Sequence, residues 1–358
     1  MATTSYGVND NLAVKLWAKK LFAESLKETS FSFLTGSGSD SVVQLRGEMN
    51  KSEGDRVRIG LRMQLSGDGV AGDGTLEGSE ESLTTYFDDV LIDQLRHAVR
   101  SAGKMSEQRV PFSVRNEARL GLQDWWADRL DQWFFNQCGG YTPQTDTRYT
   151  GMQAVSAPGT SSQVWSEDGT TTDQDLDSSG DTMTLAAIDK AVVLAKTRIM
   201  PLRPATIKGK KLFAMFLHPY QVRDLRQASS GQTWMDIQRA LVEGGFKGEG
   251  DSPIYKGGSM VGIYNGVLLL ENTRVPQGVN SSTGAAITTV RRAVMCGAQA
   301  AAFAYGQKNG ATEMSWVEEL FDYENQLGVS AGMIAGLTKL TFNGYDHGTI
   351  VLSTYAAA

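Results

Sequence analysis

The residues best suited to catalysis or metal binding are three histidines and two cysteines, and neither set has the spacing that such chemistry needs. His97, His218 and His347 are too far apart in sequence to form a ligand motif, and we expect each to be structural. Cys138 and Cys296 form no CxxC pair, and two cysteines make neither a disulfide framework nor a four-cysteine zinc site. We therefore predict two free, buried thiols.

An aspartate run comes nearest to a metal-binding motif. Asp173, Asp175 and Asp177 alternate as they do at the start of a calcium-binding loop. Ser178 stands where that loop requires glycine, and Thr184 stands where it requires its final glutamate. Failure at two key positions argues against calcium, and the sequence predicts no metal and no cofactor.

The common catalytic motifs are missing from the sequence. Gly209-Lys210 lacks the upstream glycine of a phosphate-binding loop, and residues 257–261 lack the last glycine of a hydrolase nucleophile elbow. Neither HExxH nor a strand–GxGxxG–helix unit occurs. Scattered carboxylates leave a glycosidase-type pair open, but nothing singles one out. We predict that the protein is not an enzyme.

Composition and charge describe an acidic globular protein. The chain has 358 residues, 41% hydrophobic and 21% charged, so it can bury a full core. A net charge of −6 disfavours a free nucleic-acid-binding domain. Residues 183–310 carry nine more basic than acidic residues, whereas 51–89 and 140–182 carry five and six more acidic than basic ones. Complementary regions of this kind steer association between molecules.

A long β-hairpin is the clearest extended element. Residues 56–65 alternate apolar and polar side chains, which is the period of a half-buried strand, and residues 83–92 form a second strand. The turn between them is rich in glycine and glutamate. These residues are Gly67, Gly69, Gly72, Gly74, Glu77, Glu80 and Glu81. A hairpin with so little core of its own needs another surface to lie on.

The strongest helix is predicted over residues 113–137. Pro111 precedes it and Gly139-Gly140 follows it, as is usual at helix ends. Its apolar side chains recur at helical spacing, which predicts one buried face rather than a cofactor site. The predicted core residues are Leu122, Trp126, Leu130, Trp133 and Phe134.

The rest of the chain mixes helices and strands, which indicates an α+β protein. We expect a helix and an extended arm within residues 11–34, and a polar surface excursion over 140–182. Further helices are predicted at 185–199, 219–227 and 234–242. Further strands are predicted at 211–217, within 254–275 with turns at 257–258 and 265–266, and at 315–342 and 346–354.

Several stretches occur in an order that carries a family resemblance. They are Gly54-Asp55-Arg56-Val57, LSGDGVAGDGTLEGSEESL (65–83), RSAGKMSEQRV (100–110), RLGLQDWWADRLDQWFF (119–135), FLHPYQVRDLR (216–226), TWMDIQRA (233–240) and SWVEELFDYENQLGVSAG (315–332). With them the chain resembles the major capsid proteins of tailed bacteriophages, which have the Hong Kong ninety-seven type fold. It looks most like the phage N four-like family. The resemblance is weakest over 140–182.

The resemblance implies an α+β architecture of named parts. These are an N-terminal arm (1–54), an extended β-hairpin loop (55–89), a peripheral domain with a long spine helix (90–139), the polar excursion (140–182), an axial domain (183–305) and a return to the sheet of the peripheral domain (306–358).

The same resemblance implies a shell-forming function. Copies of the chain would assemble as hexamers and pentamers into an icosahedral shell around double-stranded DNA, in the virion, after assembly in the host cytoplasm. The implied partners are other copies, a portal, a separate scaffolding protein and a cement or decoration protein. The glycines and glutamates of the hairpin turn would contact a neighbouring subunit. Non-specific DNA contact is expected from Lys15, Lys19, Lys20, Arg115 and Arg119.

Three other functions stay open on the sequence alone. An encapsulin-like nanocompartment protein would share the fold and enclose enzymes instead of DNA. A phage decoration or tail protein would also be acidic and glycine-rich, although the predicted helix at 113–137 disfavours it. A hydrolase with a scattered carboxylate pair is the third.

The first testable prediction concerns covalent cross-linking. Some members of the wider fold join their subunits by Lys–Asn isopeptide bonds, and residues 55–89 contain no lysine. We therefore expect mature shells to separate into single chains on a denaturing gel. A ladder of linked subunits would contradict this prediction.

Overall fold

The structure is a computed structural model, and it describes residues 29–47, 54–63, 65–109, 113–167, 169–207, 209–228, 260–306 and 314–357. The helix predicted near residue 11, the helix at 234–242 and the turn at 257–258 lie outside the described residues.

The described residues form four α-helices: α1 (Lys104–Gln108), α2 (Val114–Gly139), α3 (Leu185–Thr197) and α4 (Pro219–Ala228). Helix α2 confirms the long helix predicted at 113–137, and we call it the spine helix. It ends because Gly140 adopts a left-handed conformation with a φ of 62°, and its amide donates to the carbonyl of Gln137. Helix α3 begins at Thr184, whose hydroxyl oxygen accepts from the amide of Ala187 at 3.2 Å.

Eighteen strands accompany these helices in the described part of the chain. They are β1 (Thr35–Gly36), β2 (Val43–Arg46), β3 (Arg56–Arg62), β4 (Thr85–Leu91), β5 (Asp93–Arg100), β6 (Gln163–Trp165), β7 (Ala205–Ile207), β8 (Lys210–Leu217), β9 (Met260–Tyr264), β10 (Val267–Glu271), β11 (Gln277–Val279), β12 (Ala286–Cys296), β13 (Ala301–Gly306), β14 (Ser315–Phe321), β15 (Gln326–Lys339), β16 (Thr341–Phe342), β17 (Tyr345–Asp346) and β18 (Thr349–Tyr355). Helices and strands thus mix along the chain, which confirms the α+β class.

Two sheets form the body of the molecule. The first sheet has the order β1-β2-β13-β15-β14, with β5 paired to β15. The second sheet has the order β6-β18-β12-β8-β10-β9, with β11 on β12 and β7 on β8. Strands β9 and β10 are joined by the predicted turn, in which Asn265 and Gly266 have φ values of 44° and 77°. Two consecutive positive φ values are what a tight hairpin turn requires.

The spine helix packs against both sheets in one hydrophobic core. This core contains Leu122 and Trp126 of the helix, Val329 and Met333 of the first sheet, and Phe216 of the second. No helix in the described part of the chain has both the length and the apolar composition that crossing a bilayer requires.

Strand β8 is apolar without alternation because both of its faces are buried. Ala214 and Phe216 face the core of the spine helix. Phe213 and Met215 face a second core, which α3 and α4 cover from the other side. The unbroken run that predicted a buried strand at 211–217 therefore reflects a position between two layers of helices.

Strand pairing crosses the predicted domain boundaries at two places, and the division into domains stays a prediction. Residues 306–358 were expected to return as a unit to the sheet of the spine-helix segment, but β18 lies between β6 and β12 in the second sheet. Conversely β13, placed by the boundary at 305 with the axial segment, belongs to the first sheet. The alternation of apolar and polar side chains identifies a strand, but it does not indicate which other strand pairs with it.

Most described residues of the segment 140–182, predicted as a polar surface excursion, are exposed or half-buried, but part of the segment is built into the body. Strand β6 joins the second sheet, and Leu176 and Asp173 are almost completely buried. Asp173 Oδ2 accepts from Arg292 Nε at 2.7 Å and from the Val279 amide at 2.9 Å. One carboxylate of this acidic segment is therefore buried, and its hydrogen bonds connect the segment to β11 and β12.

The spine helix allows a matched test of core packing. Leu122 is fully buried, whereas Leu120 on the same helix is 43% exposed. We expect Leu122→Ala to lower the free energy of unfolding by about 2–5 kcal/mol because it leaves a cavity. Leu120→Ala, the control, should change it by no more than about 0.5 kcal/mol. Chemical denaturation of both variants measures the difference, and equal losses would contradict the packing described here.

Candidate functional site

The hairpin predicted from the alternation at 56–65 is present, and it is the candidate functional site. Strands β3 and β4 pair in antiparallel register from Arg56 opposite Leu91 to Arg62 opposite Thr85. We call these two strands the shaft. We call residues 65–84, which connect them beyond the paired region, the tip.

The inward face of the shaft is anchored on the body. Val57, Ile59 and Val90 are buried in a small cluster with residues of β13 and of the segment after β15, namely Ala302, Ala304, Leu340 and Phe342. Polar contacts reinforce this anchor, because Asp88 Oδ2 accepts from the Thr341 amide at 2.7 Å. The start of the hairpin is therefore fixed to the first sheet.

The outward face of the shaft is basic. Arg56, Arg58 and Arg62 point away from the body, and Phe87 lies exposed on the neighbouring strand. We call these four residues the arginine face. Within it, Arg58 donates to both carboxylate oxygens of Asp89 at 2.8 and 2.9 Å, and its guanidinium carbon lies 4.1 Å from the Phe87 ring centroid. The hydrogen bonds from Arg58 lower the pKa of Asp89 below its ordinary value.

Glycines give the tip its conformation, but only in part as predicted. Among the four predicted glycines, Gly69 and Gly72 have left-handed φ values of 70° and 63°, whereas Gly67 and Gly74 do not adopt positive φ. Gly78, with a φ of 91°, was not singled out in the sequence. The sequence around Gly78 did indicate a turn, because a glycine between polar residues is typical of one.

The predicted glutamates have different roles within the tip. Glu81 accepts hydrogen bonds from the amides of Ser66 and Gly67, the latter at 2.7 Å, and so closes the base of the tip. Glu80 accepts from the Gly78 amide at 2.7 Å, and Glu77 is exposed. The backbone donors at Ser66 and Gly67 lower the pKa of Glu81 below its ordinary value of 4.5.

Large apolar side chains of the tip are exposed to solvent. Their exposed fractions are 55% for Leu65, 38% for Val70, 60% for Leu76 and 62% for Leu83. Phe87 on the shaft adds another at 60%. Five large apolar side chains are thus exposed within one hairpin, which makes it a candidate surface for binding another molecule.

The predicted core residues of the spine helix, Leu122, Trp126, Leu130, Trp133 and Phe134, are all buried. Trp133 Nε1 donates to the carbonyl of Arg148 at 2.8 Å, and Phe134 stacks on Phe31 with 4.7 Å between ring centroids. Asp131 accepts from the hydroxyl of Ser30 at 2.8 Å, and burial raises the pKa of Asp131 to about 6. The helix thus also holds the segment that precedes β1.

Two of the five predicted DNA-facing residues are described, Arg115 and Arg119, which lie about one turn apart on the spine helix, and their contact with DNA stays a prediction. Arg115 Nε pairs with Glu318 Oε1 at 2.7 Å, and the Glu318 side chain is buried. Arg119 is half-buried on the same helix. Lys15, Lys19 and Lys20 lie outside the described residues. The contact of Arg115 with Glu318 was not foreseen, because it joins positions 203 residues apart.

The three histidines and two cysteines pack against other side chains of the fold. Burial lowers the pKa of both His218 and His347 to about 4, and His97 stacks on Trp125 with 4.6 Å between ring centroids. Cys138 and Cys296 are free and buried, as predicted. The described residues contain no cluster of histidine, cysteine and carboxylate groups that could hold a metal ion.

The clamp formed by Glu81 generates a testable prediction. Glu81→Gln removes the charge that favours the bonds to Ser66 and Gly67, so the amides of both residues should exchange hydrogen faster with solvent. Glu77→Gln is the matched control, because Glu77 accepts no hydrogen bond from the described residues. Residue-resolved hydrogen exchange measures the effect, and equal exchange in the two variants would refute the clamp.

The same clamp has a defined pH dependence. Because the folded pKa of Glu81 lies below its ordinary value of 4.5, the clamp stabilises the tip fully above that pH. The contribution is lost as the pH falls through the lowered pKa. Protection of the two amides should therefore decline only in that acidic range.

Comparison with known proteins places these features in a family. The model of a family described as phage capsid proteins matches residues 5–358. The major capsid protein of Pseudomonas phage KPP25 is 28% identical to this chain, over 99% of this chain and 98% of the relative.

Solved structures give the same result. The capsid of Ralstonia phage GP4 matches with a TM-score of 0.78 and 29% identity, over 100% of this chain and 99% of that chain. The capsid of Cyanophage Pam1 has a TM-score of 0.71 at 21% identity, over 93% of each chain, and so supports the fold alone. The narrower resemblance to phage N four-like proteins stays a prediction. The chain belongs to the phage capsid protein family, and its fold is of the Hong Kong ninety-seven type.

Proposed function

We propose that this chain is the major capsid protein of a tailed phage, and that its copies assemble as hexamers and pentamers into an icosahedral shell around double-stranded DNA. Membership of the phage capsid family supports the proposal. So does the similarity over almost the whole chain to a protein described as a major capsid protein.

The single observation that carries the proposal is the contrast between the two ends of the hairpin. The shaft is fixed to its own subunit by buried Val57, Ile59 and Val90. The tip projects beyond that anchor with Leu65, Leu76 and Leu83 more than half exposed. An element that is rigid at its start and apolar at its far end is suited to lie across a neighbouring subunit.

Burial of this apolar surface would contribute substantially to assembly. Full burial of one leucine side chain contributes roughly 1.5–3 kcal/mol. Repeated at every contact between subunits, a few such side chains per hairpin would stabilise a ring of copies. Glycines at positive φ, such as Gly69 and Gly72, leave the tip free to adjust its shape when the shell changes size.

The proposed role is structural rather than catalytic. We infer that the protein resides in the virion, is assembled in the host cytoplasm, and meets a portal, a separate scaffolding protein and a cement or decoration protein. Contact with packaged DNA would be non-specific and would depend on lysine and arginine side chains.

Expression followed by electron microscopy tests the proposed function. The chain is produced with and without a candidate scaffolding protein, and the product is imaged in negative stain. Closed shells, tubes or rings of capsomers are the expected products. A chain that stays monomeric in both cases would overturn the proposal.

The exposed leucines of the tip give a quantitative prediction. The double variant Leu76→Ser, Leu83→Ser should fold normally, with a free energy of unfolding within about 0.5 kcal/mol of the parent. It should nevertheless form fewer shells, because the apolar contact with the neighbour is weakened. Sedimentation analysis measures the fraction of protein in shells.

The matched control for this variant lies in the same tip. Thr75→Ala, Ser82→Ala changes two exposed polar residues and removes no large apolar group. It should assemble like the parent. Normal assembly of the leucine variant would show that the tip is not an apolar contact.

A further inference from the structure

We propose that the tip of one hairpin docks on the arginine face of the hairpin of the adjacent copy. This inference rests on the proposed function, in which hairpins reach neighbouring subunits. It specifies the surface that receives the tip, namely Arg56, Arg58, Arg62 and Phe87.

The hairpin has opposite charges at its two ends. The arginine face carries three arginines on one side of β3. The tip carries five acidic residues and no basic one: Asp68, Asp73, Glu77, Glu80 and Glu81. All five are exposed, and none of them forms a salt bridge with the described residues. Opposite charges on one element favour contact between the tip of one copy and the shaft of another.

The arginines of the shaft are only partly neutralised within the subunit. Arg58 is paired with Asp89, and Arg56 lies 3.9 Å from Asp55, which is at the limit of an ion pair. Arg62 has no ion-pair partner among the described residues. The basic charge nearest the tip end of the shaft is therefore available to an acidic group of another molecule.

The shape of the arginine face also suits a tip that mixes leucine with acid. Gly60 lies between Arg58 and Arg62 on the same face of β3 and leaves a gap where a side chain would stand. The ring of Phe87 lies opposite Gly60 on β4 and is 60% exposed. The Arg58 guanidinium lies over this ring, and Arg62 stands two residues beyond Gly60 on the same face of β3. A partly exposed aromatic ring on a face that carries arginines can accept an apolar and an acidic side chain.

The tip presents such a pair at Leu76 and Glu77. Leu76 is 60% exposed, and Glu77 beside it is also exposed. Asp73 and Asp68 lie on the same tip and extend the acidic surface. Leu76 would contact the Phe87 ring of the neighbour, while Glu77 and Asp73 would approach Arg62.

This contact joins two different surfaces and is therefore head to tail. Each copy offers its tip to one neighbour and its arginine face to another. Heterologous contacts of this type generate closed rings when the rotation between copies completes a circle. In a ring of five or six copies, every tip would contact one arginine face and every arginine face would contact one tip.

Charge alone also offers the basic region 183–310 as a receptor, and most of its described cations are exposed, Lys196, Lys211 and Arg226 among them. Arg198 and Arg292 are buried, and Lys190 Nζ donates to the carbonyl of Ser166 at 2.7 Å. Among the exposed cations that remain, Lys211 can be used to test this alternative.

A charge exchange tests the docking surface. Arg62→Glu and the tip variant Asp73→Lys, Glu77→Lys should each cause loss of closed shells, because like charges would meet in the contact. The three substitutions together should restore shells, since the pair is then reversed in sign. Negative-stain microscopy and sedimentation are used for every variant, and thermal unfolding confirms that each folds.

The control is Lys211→Glu, an exposed charge reversal in the region 183–310. It should leave assembly unchanged. Normal shells from Arg62→Glu, or no rescue in the triple variant, would overturn the docking surface. Loss of shells with Lys211→Glu but not with Arg62→Glu would move the receptor to the other region. Absence of shells from the unaltered chain would instead reject the proposed function.

Discussion

The contact between the spine helix and the two sheets is the one on which the rest of the structure depends. Phe134 and Phe135 of α2 meet Phe216 of β8 with ring centroids 5.5 and 5.2 Å apart, while Val329 and Met333 of the first sheet pack against the same helix. The segment before β1 adds Phe31 and Leu34 to the same core. The helix therefore sets how the two sheets lie against each other.

Strand β13 connects the core of the spine helix to the hairpin, because it contacts both. Ala301 and Phe303 face the core of the spine helix, whereas Ala302 and Ala304 face the inward side of the shaft. Because successive residues of a strand point to opposite faces, one strand carries both contacts. Small alanines on the outer face let the shaft lie close to the sheet. The direction in which the tip projects is thus set by the same core that holds the helix.

Local sequence patterns predicted most of the helices and strands. They failed where the burial or the contacts of a residue depend on residues far away in the sequence. Alternation at 56–65 and helical spacing at 113–137 depend on neighbours in sequence, so the hairpin and the spine helix were predictable. The burial of Asp173 depends on Arg292, which is 119 residues away, so the segment 140–182 was taken for a surface excursion. The clamp of Glu81 on Gly67 also joins two points whose proximity follows only from the folded tip. Family resemblance supplied the expected assembly role, which no local pattern contained.

The position of β18 has a consequence for biosynthesis. This strand lies inside the second sheet, between β6 and β12, yet it is translated after every other strand of that sheet. Until residues 349–355 emerge from the ribosome, β12 lacks the partner with which it later pairs over seven residues. The hairpin, which ends at Leu91, is translated 258 residues before β18 begins at Thr349. A nascent chain therefore exposes the leucines of the tip before its body is complete. Apolar surface that is exposed on an incompletely folded chain favours association between chains.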